Sequence, residues 1–220
     1  MIVRFVIVFF LIISVLGMSL FFIPIDTFLK RAINTTGVSY SVAEGNIFKG
    51  KINNITYAGE SNSPPLELGN YQYNGRLTFT GFKVSFANED ESTSGQIKTN
   101  VFNGGIQLLE FTTSTSYRTN GLGFMDIDIS IDDFLYKNGR CEAIKGYISI
   151  SNDSFDEKVG GNVNCLPEGV FKVQLFNSDN VEMGTMIYKP GFIDLEIETA
   201  ILKADVEVFL GKRMGFTIPL

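Results

Sequence analysis

The chain has 220 residues, a formal net charge of −6, and neither histidine nor tryptophan. Because histidine is the commonest general base and transition-metal ligand, its absence argues against hydrolase and zinc chemistry and favours a non-catalytic protein without a cofactor. Residues 1–32 carry a net charge of +2, which leaves −8 on the remainder, and such an acidic domain cannot neutralise the phosphates of nucleic acid. We therefore expect a binding or structural role without a nucleic-acid partner.

An uncharged hydrophobic segment at 5–25 is the first predicted element. Its length matches the roughly 20 residues that a helix needs to cross a bilayer, whereas the main alternative, a cleaved signal peptide, normally has a shorter apolar region and a small-residue cleavage site. The sequence thus predicts a short cytoplasmic end at 1–4, a transmembrane anchor at 5–25 and a juxtamembrane segment at 26–36. Residues 26–34 are expected to begin that segment as a short amphipathic helix.

The orientation of the anchor does not follow from charge, since basic residues flank it on both sides. The very short leading segment, the acidic domain and the pair of cysteines favour residues 37–220 as an exported domain. We expect a single-pass protein of the inner membrane of a Gram-negative cell, with its C-terminal domain in the periplasm.

Residues 37–220 are dominated by segments in which apolar and polar residues alternate, such as 47–59, 77–87, 105–117 and 123–131. This period is typical of β-strands with one buried and one wet face, and Asn-Gly and Pro-Glu-Gly turns separate the segments. The fold class predicted is mainly β: one extended, twisted antiparallel sheet, curled into a groove or half-barrel. A closed sandwich is the alternative. A single helical turn is expected only at 131–138.

Four aspartates lie close together in the sequence, at 126, 128, 132 and 133. Grouped carboxylates can bind Ca²⁺, but this spacing departs from the calcium-loop pattern, and alternating acids are typical of the water-facing side of a strand. We predict no metal site and no catalytic residue.

Cys141 and Cys165 are the only cysteines and lie 24 positions apart. An even number in an exported domain indicates one disulfide, which would stabilise the fold by about 3 kcal/mol on the chain-entropy model. Two reduced core thiols are the alternative.

The segment from Glu44 to Gly50 (EGNIFKG) resembles the G-T-[LV]-W-x-G element near the start of the exported domain in type II secretion system protein N. Gly45 and Gly50 match its glycines. Ile47 and Phe48 match its aliphatic and aromatic positions, while Asn46 stands in place of its threonine. The segments 141–146 and 165–173 look like the family's later glycine-opened strands, which carry cysteines in some members.

This resemblance implies a non-catalytic accessory or scaffold component of a bacterial type II secretion system, whose partners are other secretion components and the inner membrane. Exposed strand edges would contact those partners by β-strand addition. The alternative function is an envelope lipid-binding or lipid-transport protein, similar in layout to the single-anchor component of lipopolysaccharide export or to AsmA-like proteins. A groove lined by phenylalanine would then bind acyl chains.

Overall fold

The computed structural model describes residues 22–33, 37–58, 66–100, 102, 104–119, 123–138, 140–166, 170–189, 192–202 and 212–219. In these residues one α-helix, α1 (Ile25–Ile33), precedes fourteen β-strands. The strands are β1 (Val38–Ser39), β2 (Val42–Asn46), β3 (Lys49–Tyr57), β4 (Leu66–Thr78), β5 (Gly81–Asn88), β6 (Thr93–Asn100), β7 (Gly105–Thr119), β8 (Gly123–Lys137), β9 (Arg140–Asn152), β10 (Val159–Cys165), β11 (Phe171–Phe176), β12 (Glu182–Lys189), β13 (Phe192–Glu198) and β14 (Arg213–Pro219). A 3₁₀ turn at Thr199–Ile201 follows β13.

All fourteen strands form one antiparallel sheet, in which each strand from β3 to β13 pairs with the next along the chain. The two short strands β1 and β2 both pair with β3, so they act together as one interrupted edge. The sheet is not closed. The prediction of a mainly β protein built on a single large antiparallel sheet is confirmed, and the alternative of a closed sandwich is wrong.

One face of the sheet is apolar across most of its width. Cross-strand partners point to the same side of a sheet, and on this side most of the partners are apolar. In β11 to β14, for example, Val173 pairs with Met186, Met186 with Leu195, and Leu195 with Phe216. We call this side the inner face. Its alternation with polar residues is the pattern that predicted the strands.

The hydrophobic core lies on the inner face of the later strands, β8 to β13. Phe155 from the β9–β10 connection and Leu202 after the 3₁₀ turn form a β-bridge to each other, and both are buried in this core. The fully buried side chains are Met125, Ile150, Val159, Val173, Leu175, Leu195, Ile197, Ile201 and Leu202. In this half of the molecule the inner face is therefore filled by the chain itself.

The predicted helical turn at 131–138 is wrong, because these residues continue β8 to Lys137. The register against β9 shifts between Ile131 and Asp133, so Asp132 is an extra residue that interrupts the alternation. The Asp132 side chain pairs with Lys145 at 3.0 Å on the strand next to it. Pairing with both β7 and β9 outweighs the weak local helical pattern.

A disulfide joins Cys141 on β9 to Cys165 on β10, with 5.8 Å between the Cα atoms. The β9–β10 register runs from Ile150–Val159 to Tyr147–Asn162, at the far end of β9 from Cys141. The disulfide therefore holds the two strands together beyond their hydrogen-bonded pairing. The predicted disulfide is confirmed, and the alternative of free thiols is wrong.

Helix α1 occupies most of the segment where a short amphipathic helix was expected. Within the residues that the structure describes, no helix combines the length and apolar character needed to span a bilayer. Residues 1–21, which hold nearly all of the predicted anchor at 5–25, lie outside that part of the chain.

Candidate functional site

An apolar groove lies on the inner face of the earlier strands, β3 to β7, with α1 along one side. Its volume is about 860 Å³, near the upper end of the range of roughly 300–1,000 Å³ for ligand pockets. The apolar side chains that line it are Ile25, Phe28, Leu29, Ile47, Ile52, Ile55, Leu68, Tyr71, Tyr73, Phe82, Val84, Phe86, Ile97 and Phe111. The same face that is filled in β8 to β13 is thus open here.

The floor of the groove is built from aromatic rings that lie against the strands. The Phe86 ring is 6.2 Å from that of Tyr71 and 6.3 Å from that of Phe111. Gly95 lies beside Phe86, and a Cβ at that position would come within 3.0 Å of the Phe86 ring and 3.1 Å of the Phe111 ring. The missing side chain allows both rings to lie close to the sheet, which deepens the groove.

Helix α1 presents an apolar stripe to the groove through Ile25, Phe28 and Leu29, the i, i+3, i+4 spacing of one helical face. Asp26 accepts a hydrogen bond from the Tyr40 hydroxyl at 2.8 Å and pairs with Lys30 at 2.6 Å. These contacts with Lys30, and next with Tyr40, lower the pKa of Asp26. The hydrogen bond from Tyr40, which lies between β1 and β2, attaches the helix to the first edge of the sheet.

Polar groups gather at one end of the groove, where the β5–β6 hairpin meets β7. Asn88, Ser92 and Thr93 come from the hairpin, and the residues 113–115 from β7. The Thr93 and Thr113 hydroxyls are 2.7 Å apart and hydrogen-bonded. The lining also includes Glu67, near the start of β4. An apolar interior with a few polar groups, among them hydroxyls, an amide and one carboxylate, suits an amphipathic ligand that has one long apolar part.

The segment that resembles the secretion family forms the β2–β3 hairpin at the mouth of the groove. Asn46 Oδ1 accepts hydrogen bonds from the amides of Phe48, at 2.9 Å, and Lys49, at 3.1 Å, and these close the turn. Ile47 lines the groove, and the Phe48 ring packs edge-on against that of Phe82 at 6.1 Å. The aliphatic position of the motif therefore lines the groove, and the aromatic position packs against Phe82, which lines it.

The two glycines of the motif pair with each other across this hairpin. Gly45 has a φ of 98°, a region that favours glycine, and its missing side chain leaves room for the backbone of Lys49. Gly50 pairs on its other side with Tyr73, whose hydroxyl donates to the Asn46 carbonyl at 2.5 Å. Burial raises the pKa of Tyr73. The motif residues thus define the hairpin's shape and its packing on the groove.

The acidic cluster does not form a metal site in the described part of the chain, where no three potential ligands come together. On the outer face of β8, Asp128 accepts a hydrogen bond from Ser114 at 2.7 Å and pairs with Lys158 at 2.6 Å. Hydrogen bonds first from Lys158 and then from Ser114 lower the pKa of Asp128. Asp126 accepts a hydrogen bond from Ser116 on β7. The interpretation of these acids as a water-facing side of the strand agrees with these contacts.

The sequence indicated a phenylalanine-lined groove as one alternative but not its location. Val84, Phe86 and Phe111 look the same in the alternation as the residues that fill the core, because both sets occupy inner-face positions. No matching protein-family model, curated protein or solved structure was found for this chain.

Proposed function

We propose that this protein binds the acyl chains of lipids in the apolar groove, as part of lipid binding or transport in a bacterial cell envelope. The observation that carries the proposal is the open cavity of about 860 Å³ on the inner face of β3 to β7. On the later strands the chain itself fills this apolar face, whereas here the face is left open. The open sheet then acts as a half-barrel that holds its ligand along the strands' inner side.

The chemistry of the groove supports an acyl chain as the ligand. Each methylene removed from water contributes about 0.8 kcal/mol, so ten of them contribute about 8 kcal/mol before the costs of immobilisation are subtracted. The hydroxyls of Thr93 and Thr113 would face the polar head of such a lipid. The groove thereby gives the ligand an orientation as well as a site.

The disulfide between Cys141 and Cys165 supports an exported domain, since such bonds persist in oxidising compartments such as the periplasm. We place residues 37–220 there, attached to the inner membrane by the hydrophobic segment at 5–25. On this proposal the protein is not an enzyme, because its ligand is held and released without chemical change.

A role as a scaffold in type II secretion is the second candidate, and the open edge of the sheet favours it. In the described part of the chain β14 pairs only with β13, at the end of the strand order. A free strand edge can accept a strand of another protein by backbone hydrogen bonding. The β2–β3 hairpin, with its motif at Gly45, Ile47, Phe48 and Gly50, would then be a structural element rather than a ligand contact.

The test compares two glutamate variants at neighbouring positions of β5. Val84→Glu places a carboxylate in the apolar groove, whereas Ser85→Glu places one on the outer face of the same strand. The tagged full-length chain is crosslinked in its native membranes and purified in mild detergent, and its bound lipids and proteins are identified by mass spectrometry.

We expect the protein to carry lipid at a stoichiometry near one, and Ser85→Glu to retain it. Val84→Glu should lower the bound lipid by more than about tenfold, because burying an unpaired carboxylate is costly. Secretion proteins enriched without stoichiometric lipid would instead refute lipid binding and support the scaffold. Circular dichroism of both variants verifies that the β-sheet is retained.

A further inference from the structure

One end of the sheet exposes large apolar side chains at the tips of two hairpins. Phe79, in the β4–β5 turn, is 97% exposed, and Phe102, in the β6–β7 turn, is 79% exposed. Leu77, Ile106 and Tyr136 are also exposed and belong to the cross-strand row just inside these tips. We call these five residues the hairpin-tip patch. Clustered exposed apolar residues, unlike single ones, mark an interaction surface.

Three basic residues face one another on the outer face beside this patch. Arg76 pairs with Lys83, and Lys83 pairs with Lys98, so the three cations lie in one row across β4, β5 and β6. In the described part of the chain none of them forms an ion pair. Like charges directly opposite each other destabilise a sheet, and a bound anion would remove that cost.

We propose that this end of the molecule docks on the surface of an anionic lipid bilayer, through residues that do not line the groove. Phe79 and Phe102 enter the boundary between head groups and acyl chains, and Arg76, Lys83 and Lys98 contact lipid phosphates. Exposed aromatic side chains next to lysine and arginine are the combination by which peripheral elements bind anionic membranes.

The spacing along the strands fits this arrangement. The basic residues lie three to four positions from the phenylalanine of their hairpin, which corresponds to about 10–13 Å at the rise of a β-strand. A head-group layer is about 5–8 Å thick, and the long side chains of lysine and arginine can extend along the strand towards it. Ring and cation therefore reach the acyl boundary and the phosphates at the same time.

The opposite end of the sheet has the opposite charge. There the β5–β6 hairpin carries three exposed acids in succession, Glu89, Asp90 and Glu91. This separation of charge turns the basic end towards a negative surface and the acidic end away from it. The chain also enters the domain from the basic side, since Pro24 bridges to Asn46, and Asn46 pairs with Lys49 at the level of Asn74 near the end of β4.

The test uses the absence of tryptophan from the chain, which makes any introduced tryptophan a single fluorescent reporter. Phe79→Trp and Phe102→Trp place it in the patch. Phe124→Trp is the control, because Phe124 is 63% exposed but lies at the other end of β8, about 40 Å along the strand from Tyr136. The full-length variants are reconstituted in nanodiscs of brominated phosphatidylcholine and phosphatidylglycerol.

We expect bromine to quench the fluorescence of F79W and F102W, with emission shifted to shorter wavelength, and to leave F124W unaffected. Adding R76Q, K83Q and K98Q to F79W should shift the docking equilibrium by roughly 100-fold towards the undocked state, at about fivefold for each basic residue near an anionic surface. Quenching of F79W and F102W no greater than that of F124W would overturn the proposal, as would quenching that is unchanged in the charge variant. Arg76, Lys83 and Lys98 do not line the groove, so a loss of quenching in the charge variant reports docking and not lipid bound in the groove. This site and the groove can therefore fail independently.

Discussion

Replacing isoleucine by alanine on the inner face should cost different amounts of unfolding free energy in the two halves of the sheet. Ile150 is 0% exposed and lies in the filled core, whereas Ile97 is 37% exposed and lines the groove. The change removes about 2.4 kcal/mol of transfer free energy from a fully buried side chain. For Ile150→Ala a cavity term adds to this, and we expect a total loss of about 4 kcal/mol.

For Ile97→Ala we expect a loss of only about 1.5 kcal/mol, because the side chain is partly exposed and its removal enlarges a space that is already open. The same change removes apolar contact with an acyl chain, so bound lipid should fall by up to about tenfold. Ile150→Ala should leave the lipid bound per folded molecule unchanged. Stability and lipid binding thus respond to different halves of one face.

Both free energies can be measured on the full-length chain in nanodiscs by pulse proteolysis along a urea gradient. Bound lipid is quantified by mass spectrometry in parallel. Equal losses of stability at the two positions would refute the reasoning, because they would mean that the groove is closed and packed like the core. Loss of lipid in Ile150→Ala at full folded population would also refute it.

Two further predictions concern the contacts that hold the outer parts of the sheet together. Replacing both Cys141 and Cys165 by serine should lower the unfolding free energy, measured by urea unfolding, by about 3 kcal/mol on the chain-entropy model. Reduction of the native protein should reproduce this loss. No loss of stability in either case would contradict the prediction. Asp128→Asn should lower stability at pH 7 by at most about 1 kcal/mol, since the pair with Lys158 is partly exposed. Because the folded pKa of Asp128 is lowered, its contribution is present above the unfolded pKa of about 3.9 and is lost as the pH falls through the folded value. The two proteins should therefore become equally stable in strong acid, and a difference that persists there would contradict this origin.

Where the alternation of apolar and polar residues is regular, as at 105–117 and 123–131, the prediction of strands agrees with the structure, which places β7 and β8 there. The segment at 77–87 instead contains the turn between β4 and β5, since β4 ends at Thr78 and β5 begins at Gly81. Where the register shifts, prediction from local pattern fails. Asp132 interrupts the alternation and suggested a helical turn, although the strand continues. Strand β13 ends at Glu198, where a 3₁₀ turn brings Ile201 and Leu202 into the core.

The β2–β3 hairpin, which resembles the secretion family, also separates what a local pattern predicts from what it does not. The pattern of Gly45, Ile47, Phe48 and Gly50 indicated an element at the start of the domain, and the structure places all four in one tight hairpin. That Ile47 lines a groove depends on α1 and on Tyr73, which approach from distant positions in the chain. Such contacts have no local signature.

The sequence by itself determined the mainly β class, the single antiparallel sheet and the cysteine pair, because strand period, short turns and an even cysteine count are local or arithmetic properties. Only the tertiary structure decided which half of the inner face is filled and which is open. Phe155 and Leu202 cover the later strands, and in the described part of the chain no such segment covers β3 to β7. Coverage depends on where distant segments meet, and the alternation is identical on a covered and an uncovered face.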